Sequence, residues 1–323
     1  MSYIAVIGEA VADTFVSPDQ PEPGALDLRV RPGGGPANTA VALGRLGVPT
    51  RFVGRIPRNL LGNLLRDHLT RSGVELSLVA EATEEATLAL AAIDEDGHAQ
   101  YAFYANGTAD WQWSAAELAA HSPLAAACVH AGSLALVLDP GGPHIEHLLG
   151  ALRGKATISI DPNVRPGMVP IEVYQSRLRG WTSIADIFRL SEDDLGLLRP
   201  GAGIEEVCDE WHADGVRLVV VTQGAKGSVG SYDGQRIFVP AQPVVTVDTV
   251  GAGDAFTAGL LFSLRADGLL GGGLDGLDIA ALTRALEFAS NVAAETCKVP
   301  GADPPWGEYR LLRNGFSENG LLG

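Results

Sequence analysis

The decisive stretch is Val247-Asp248-Thr249-Val250-Gly251-Ala252-Gly253-Asp254-Ala255-Phe256-Thr257-Ala258-Gly259. The β-branched run Val244 to Val247 predicts a strand before it, and the apolar, helix-favouring run Ala255 to Arg265 predicts a helix after it. Small residues between the two leave backbone N–H groups free to converge on one spot. A helix N-terminus adds the positive end of its dipole there. Gly251, Ala252 and Gly253 thus form a candidate anion hole for phosphoryl oxygens, with the Asp254 carboxylate beside it. Taken alone, Asp254 is equally an ordinary first-turn acid that favours the helix dipole.

Working outward, Tyr3 to Ile7 is a continuous apolar run ending at Gly8, the pattern of a buried parallel strand. Glu9 and Asp13 follow it, at the strand end where open α/β sheets bind ligands. Leu26, Leu28 and Val30 alternate with Asp27, Arg29 and Arg31, as a half-exposed strand does. Gly33-Gly34-Gly35-Pro36-Ala37-Asn38 then opens a helix that closes near Gly47, with Pro36 suited to the first turn. Thr87 to Ile93 and Ala99 to Tyr104 flank the acidic turn Asp94-Glu95-Asp96-Gly97 in a hairpin pattern. Further strands run from Cys128 to Ala131, Thr157 to Ile160, Ile187 to Leu190 and Leu218 to Val221, and Ala280 to Glu295 is a helix. Strands alternating with helices predict an α/β fold with a mostly parallel sheet.

The two ends of this pattern together resemble the ribokinase-like (PfkB) carbohydrate kinases. Asp-Thr-x-Gly-Ala-Gly-Asp-Ala-Phe at 248–256 is similar to the C-terminal signature of that family, and Gly-Gly-x-x-Ala-Asn, here with Gly34, Gly35 and Asn38, to its N-terminal one. The resemblance covers nearly the whole chain to about residue 310. It implies a ribokinase-like α/β domain over 1–311, a β lid inserted near 14–32 and 84–108, and a C-terminal tail from Leu312. It also implies that Asp254 is the general base towards a sugar hydroxyl, while Gly251, Ala252 and Gly253 hold the phosphoryl group. Asp13, Gly34, Gly35 and Asn38 are implied sugar ligands, with Tyr104 or its neighbour Phe103 above the sugar. Arg165, in Asp161-Pro162-Asn163-Val164-Arg165, is implied to meet a phosphate or an acidic substrate group. Thr222, Gly224 and Gly227 match the family's nucleotide loop, Ser191 and Asp194 its phosphate- and Mg²⁺-positioning pair, and Asn291 the wall of the adenine pocket. Asp194 stands where members carry Glu. Asp248 matches the acid of a monovalent-cation site. The expected cofactors are therefore ATP and Mg²⁺, with K⁺ as a further candidate. A homodimer through an exposed lid face is a further candidate. Where members carry an acid, Asn59 departs from the pattern.

Composition narrows the alternatives. The 323 residues carry a net charge of −16, which argues against nucleic-acid binding. Cys128, Cys208 and Cys297 are widely spaced and odd in number, so neither a disulfide frame nor a zinc knuckle is indicated. With no signal peptide or membrane span in view, a cytoplasmic enzyme is expected. Gly271-Gly272-Gly273-Leu274-Asp275-Gly276 fits a dinucleotide fingerprint only formally, because a helix and not a strand precedes it. Three features lean to the fructokinase branch: Gly-Gly-x-Pro-Ala-Asn, Asp-Pro-Asn-x-Arg-Pro, and Ser191 three residues before an acid. Kinases of ribose, 2-keto-3-deoxygluconate or nucleosides share the frame, as would a non-catalytic sugar-binding protein.

Overall fold

The computed structural model describes residues 2–16, 25, 27–93 and 99–307. The stretch 17–24 and Leu26 of the expected lid, the acidic turn 94–98 and the tail from Leu312 lie outside the described residues.

A nine-stranded sheet runs in the order Gln235–Pro240, Gly227–Tyr232, Leu218–Thr222, Ile187–Ser191, Thr157–Asp161, Ala126–Gly132, Tyr3–Ile7, Thr50–Val53 and Val74–Glu75. Pairing is parallel from Leu218–Thr222 onward, and the first two strands add to that edge antiparallel. The apolar run at the N-terminus is explained by its place: Tyr3–Ile7 is buried on both faces, between Ala126–Gly132 and Thr50–Val53. Its side chains alternate between two cores. Ala5 and Ile7 face the layer of Trp113, Trp181 and Trp211, whereas Ile4 and Val6 face Leu43, Phe52 and Leu261. The second layer is built by the helices Gly35–Arg45, Leu60–Arg71, Ala252–Ala266 and Ile279–Thr296. Asn59 caps the second of these, its side chain accepting from the Gly62 N–H at 2.9 Å, and its Nδ2 donates to Glu85 Oε2 at 2.5 Å, a bond that an acid at this position could not make.

A separate four-stranded sheet has the order Leu28–Gly33, Val11–Val16, Leu88–Ile93, Ala99–Tyr104. It matches the expected lid segments and stands over the C-terminal ends of the central strands. The triple glycine lies in the loop between Ala252–Ala266 and Ile279–Thr296, where the Gly271 N–H donates to Thr157 Oγ at 3.0 Å.

One expectation fails. Val244 to Val247 forms no strand. Pro240 ends the last strand and Pro243 removes another donor, so the β-branched run continues as extended chain. Val245 is 87% exposed, and the run is held by the Val247 N–H donating to the Cys297 carbonyl at 2.8 Å.

Candidate active site

The two sheets enclose a cleft of about 810 Å³. Its floor is the start of helix Ala252–Ala266, and its far wall is the start of helix Gly35–Arg45. Gly251 is the N-cap of the first helix, with φ 76°. A Cβ there would lie 2.5 Å from Ala302 Cβ, so only glycine admits this turn against the 301–302 loop. Asp254 sits in the first helical turn. Asn38 Nδ2 donates to Asp254 Oδ2 at 2.9 Å, joining the two signature segments side chain to side chain. Enclosure at the cleft floor pushes the Asp254 carboxyl up to about 6, with Asn38 opposing the rise. The floor acid is thus a stronger base than a solvated aspartate.

Asp13, Gly34, Gly35, Asn38, Arg165, Gly251, Gly253 and Asp254 all line this cleft. Burial pushes Asp13 up to about 6, while the nearby Arg165 draws it down. Arg165 is held in place by its backbone, whose N–H donates to the Tyr174 hydroxyl at 3.2 Å. Tyr104 is not on the cleft. Side chains alternate along a strand, and register pairs Phe103 with Ala89; both of these line the cavity, leaving Tyr104 outside it and 59% exposed. Arg31, on the lid, donates to the Pro300 carbonyl at 3.2 Å and so ties the lid to the loop that also packs on Gly251.

The nucleotide-side candidates lie outside the cleft. Ser191 and Thr222 are register partners at the C-terminal ends of adjacent strands. Gly224 and Gly227 shape the turn after Thr222, and Asn291 is half-buried on helix Ile279–Thr296. Asp194 is committed locally. It completes a capping box with Ser191 and accepts from the Val164 N–H at 3.0 Å. Burial and then the neighbouring Asp161 raise its pKa. Asp248 likewise braces its loop, accepting from the N–H groups of Val250 at 3.0 Å and Gly301 at 2.7 Å. Among the described residues no group of three or more His, Cys, Asp or Glu side chains is arranged to hold a metal ion.

Sequence reasoning left Glu9 and Asn163 without an assigned role and passed over Ser133 and Arg189, all of which line the cleft. Glu9 is buried, accepts from the Ala135 N–H at 3.2 Å, and is pushed up to about 7 by burial. Ser133 and Asn163 line the cleft with positive φ values of 62° and 41°. Arg189 lines it from inside a central strand. The lone arginine in Ile187-Phe188-Arg189-Leu190 was the available signal, since a charge within a buried strand calls for a partner.

Comparison with known proteins identifies the family. The model of the pfkB family carbohydrate kinases matches residues 1–307. A fructokinase of Rhizobium leguminosarum bv. trifolii is 36% identical over 270 residues, 83% of this chain and 81% of that one. The crystal structure of a Xylella fastidiosa fructokinase with bound ATP superposes with a TM-score of 0.86 at 27% identity, covering 98% of this chain and 99% of the other. A Vibrio cholerae fructokinase double mutant, in its fructose-, ADP- and potassium-bound form, superposes at 0.78 with 26% identity and 94% of each chain. With both signatures meeting at Asp254 and the family model spanning residues 1–307, the chain belongs to the pfkB family of carbohydrate kinases.

Proposed function

We propose that this carbohydrate kinase transfers the γ-phosphoryl group of ATP to a hydroxyl of fructose. The observation that carries the reading is the Asp254 carboxylate, enclosed at the cleft floor and hydrogen-bonded to Asn38 at 2.9 Å. Phosphoryl transfer depends mainly on positioning and charge stabilisation. Asp13, Asn38 and the backbone at Gly34 and Gly35 orient the sugar. Asp254 takes the hydroxyl proton as that oxygen attacks. The N–H groups of Gly251, Ala252 and Gly253 face the transferring oxygens, and the lid excludes water. The four-stranded sheet acts as a lid on one domain that carries every other site residue.

The polyphosphate fits this floor, because the Gly251 turn opens a helix N-terminus onto it, although the Ala252 N–H also donates to the Thr249 carbonyl at 3.2 Å. Thr222, Gly224, Gly227, Ser191 and Asn291 border the adjoining nucleotide path. Mg²⁺ bound with ATP would supply charge neutralisation on the phosphates, with Asp194 and Asp248 the acids nearest its path. Asp194 and Asp248 then serve as loop braces near the metal rather than as a cage around it. A K⁺ site is assigned to the Asp248 loop and the carbonyls beside it, a reading supported by the potassium in the Vibrio cholerae fructokinase structure. A cytoplasmic location is part of this reading, where ATP and free sugar are both available. Exposed Leu28 and Tyr104 on the lid give a second copy of the chain apolar surface to cover.

The test is an ADP-release assay with MgATP and fructose, ribose, glucose, 2-keto-3-deoxygluconate or adenosine, with and without K⁺. Fastest turnover on fructose is expected. Preference for another acceptor would overturn the sugar assignment and leave Asp254 in its role. Sugar binding without turnover on any acceptor would overturn the kinase reading in favour of a binding protein.

A further inference from the structure

Arg189 has no place in the family signatures, yet it occupies a costly position. It lies in the central strand Ile187–Ser191, with its side chain 7% exposed. Its Nη1 donates to Asp161 Oδ2 at 2.5 Å, and its Nη2 to Thr222 Oγ at 2.8 Å. Its Nε has no hydrogen-bond partner among the described residues. A buried ion pair in a strand core is seldom better for stability than well-packed apolar side chains. A role in packing therefore explains neither the charge nor the unsatisfied donor.

The position of the guanidinium is more telling. A Cβ on Gly253 would come within 3.1 Å of Nη1 and 3.2 Å of Nη2, so the cation lies directly against the first turn of helix Ala252–Ala266. Gly253 is glycine because this arginine needs the space. The arrangement sets a full positive charge beside the positive end of a helix dipole, in a cleft that Arg165 also lines. Like charges brought together with little water repel, unless an anion sits between them. Asp161, with Asp254 and Asp194 farther off, offsets part of this charge, but Asp161's other oxygen already accepts from the Asn163 N–H at 3.1 Å, Asp254 is held by Asn38 and Asp194 by its helix cap.

We propose that Arg189 is a phosphate-directed residue, whose guanidinium, fixed by Asp161 and Thr222 against Gly253, binds the polyphosphate held by the 251–253 amides. This rests on the kinase reading and adds a side-chain cation to a hole otherwise built of backbone. The same residue couples sites in space, since Asp161 begins the loop that carries Asn163 and Arg165, and Thr222 begins the nucleotide loop.

The experiment measures equilibrium binding of AMP and of β,γ-imido-ATP with Mg²⁺ to the wild-type protein, Arg189→Gln and Arg189→Lys, with steady-state turnover on fructose. Arg189→Gln is expected to weaken β,γ-imido-ATP about 10–100-fold, the worth of a hydrogen bond to a charged group, with AMP within threefold. Its kcat is expected to fall about 10²–10³-fold, as for loss of an oxyanion donor, with fructose KM within threefold. Arg189→Lys, which keeps a point charge, should recover part of both losses. Equal weakening of AMP and β,γ-imido-ATP, or β,γ-imido-ATP within threefold of wild type, would overturn the assignment. Should Arg189→Gln not fold, the same two criteria apply to Arg189→Lys. Failure of the wild-type protein to bind either nucleotide would overturn the kinase reading, and this proposal with it.

Discussion

The floor and the lid of the cleft are built in opposite ways. On the floor, backbone groups or buried side chains hold the acids: Asn38 binds Asp254, the Asn163 N–H and Arg189 bind Asp161, and the N–H groups of Val250 and Gly301 bind Asp248. The aromatic neighbours there are buried, Phe188 completely and Phe256 to 5% exposure. On the lid, Phe15 and Phe103 line the same cleft but each remain 41% exposed. The floor is preorganised in the free protein, as electrostatic catalysis requires. The lid keeps apolar area in reserve, to be covered only when substrate is present. On the proposed reading, chemistry falls to rigid helix starts, and recognition is shared between the helix start at Gly34–Asn38 and a partly open sheet.

The sharpest way to break this contrast is Asp254→Asn. Turnover on fructose is expected to fall by about 10²–10⁴-fold, the usual worth of a general base, with sugar and nucleotide affinity within threefold by calorimetry. The same change should raise stability near neutral pH. Burial lifts the Asp254 pKa from about 4 to about 6, so the ionised folded form is disfavoured above that range. The native protein binds this proton more tightly than the unfolded chain does. Its contribution to stability therefore falls as pH rises from about 4 to about 6. Asparagine removes a cost of up to about 3 kcal/mol at pH 7, readable as an increased urea midpoint. A less stable variant with full activity would refute the floor model. For the wild-type enzyme, kcat should decline as pH drops below about 6, where the Asp254 proton is retained.

A smaller effect is expected on the lid. Asp13→Ala should raise the fructose KM about 10–100-fold, the cost of a lost charge-assisted hydrogen bond, with kcat changed much less. A matching fall in kcat would mean that lid and floor are not separate functions. The smallest effect distinguishes two neighbours. Phe103→Ala should raise fructose KM by about threefold to tenfold through lost apolar cover, while Tyr104→Ala leaves KM unchanged. The reverse ranking would show that the lid strand pairs in another register in solution.

Those two aromatics also mark where the amino-acid sequence stops being legible. The parallel sheet and the two signature segments follow from apolar runs and long motifs, whereas the hydrogen bond that joins Asn38 to Asp254 is visible only in the structure. Which of Phe103 and Tyr104 faces inward depends on hairpin register, and a slip of one residue exchanges the faces. Asp194 was ambiguous for a different reason. Ser191 followed three residues later by an acid is both a phosphate-site pattern and a capping box, and the observed hydrogen bonds are those of the cap. Arg189 was overlooked because a strand was inferred from its apolar neighbours, and no local rule names the Asp161 and Thr222 that receive the charge. The lost strand at Val244 to Val247 shows that tertiary context overrides β propensity: after Pro243 the run is drawn to the Cys297 carbonyl and pairs with no sheet edge.

The bond between Asn38 and Asp254 spans 216 residues of chain. At ordinary rates of synthesis that separation is about 10–40 s of translation. The sugar-facing half of the site thus leaves the ribosome well before the base that acts on it. Neither half can move a phosphate alone, so a nascent or prematurely terminated chain is chemically silent. Activity begins only when the two signatures dock, and the finished fold is itself the switch that turns the enzyme on.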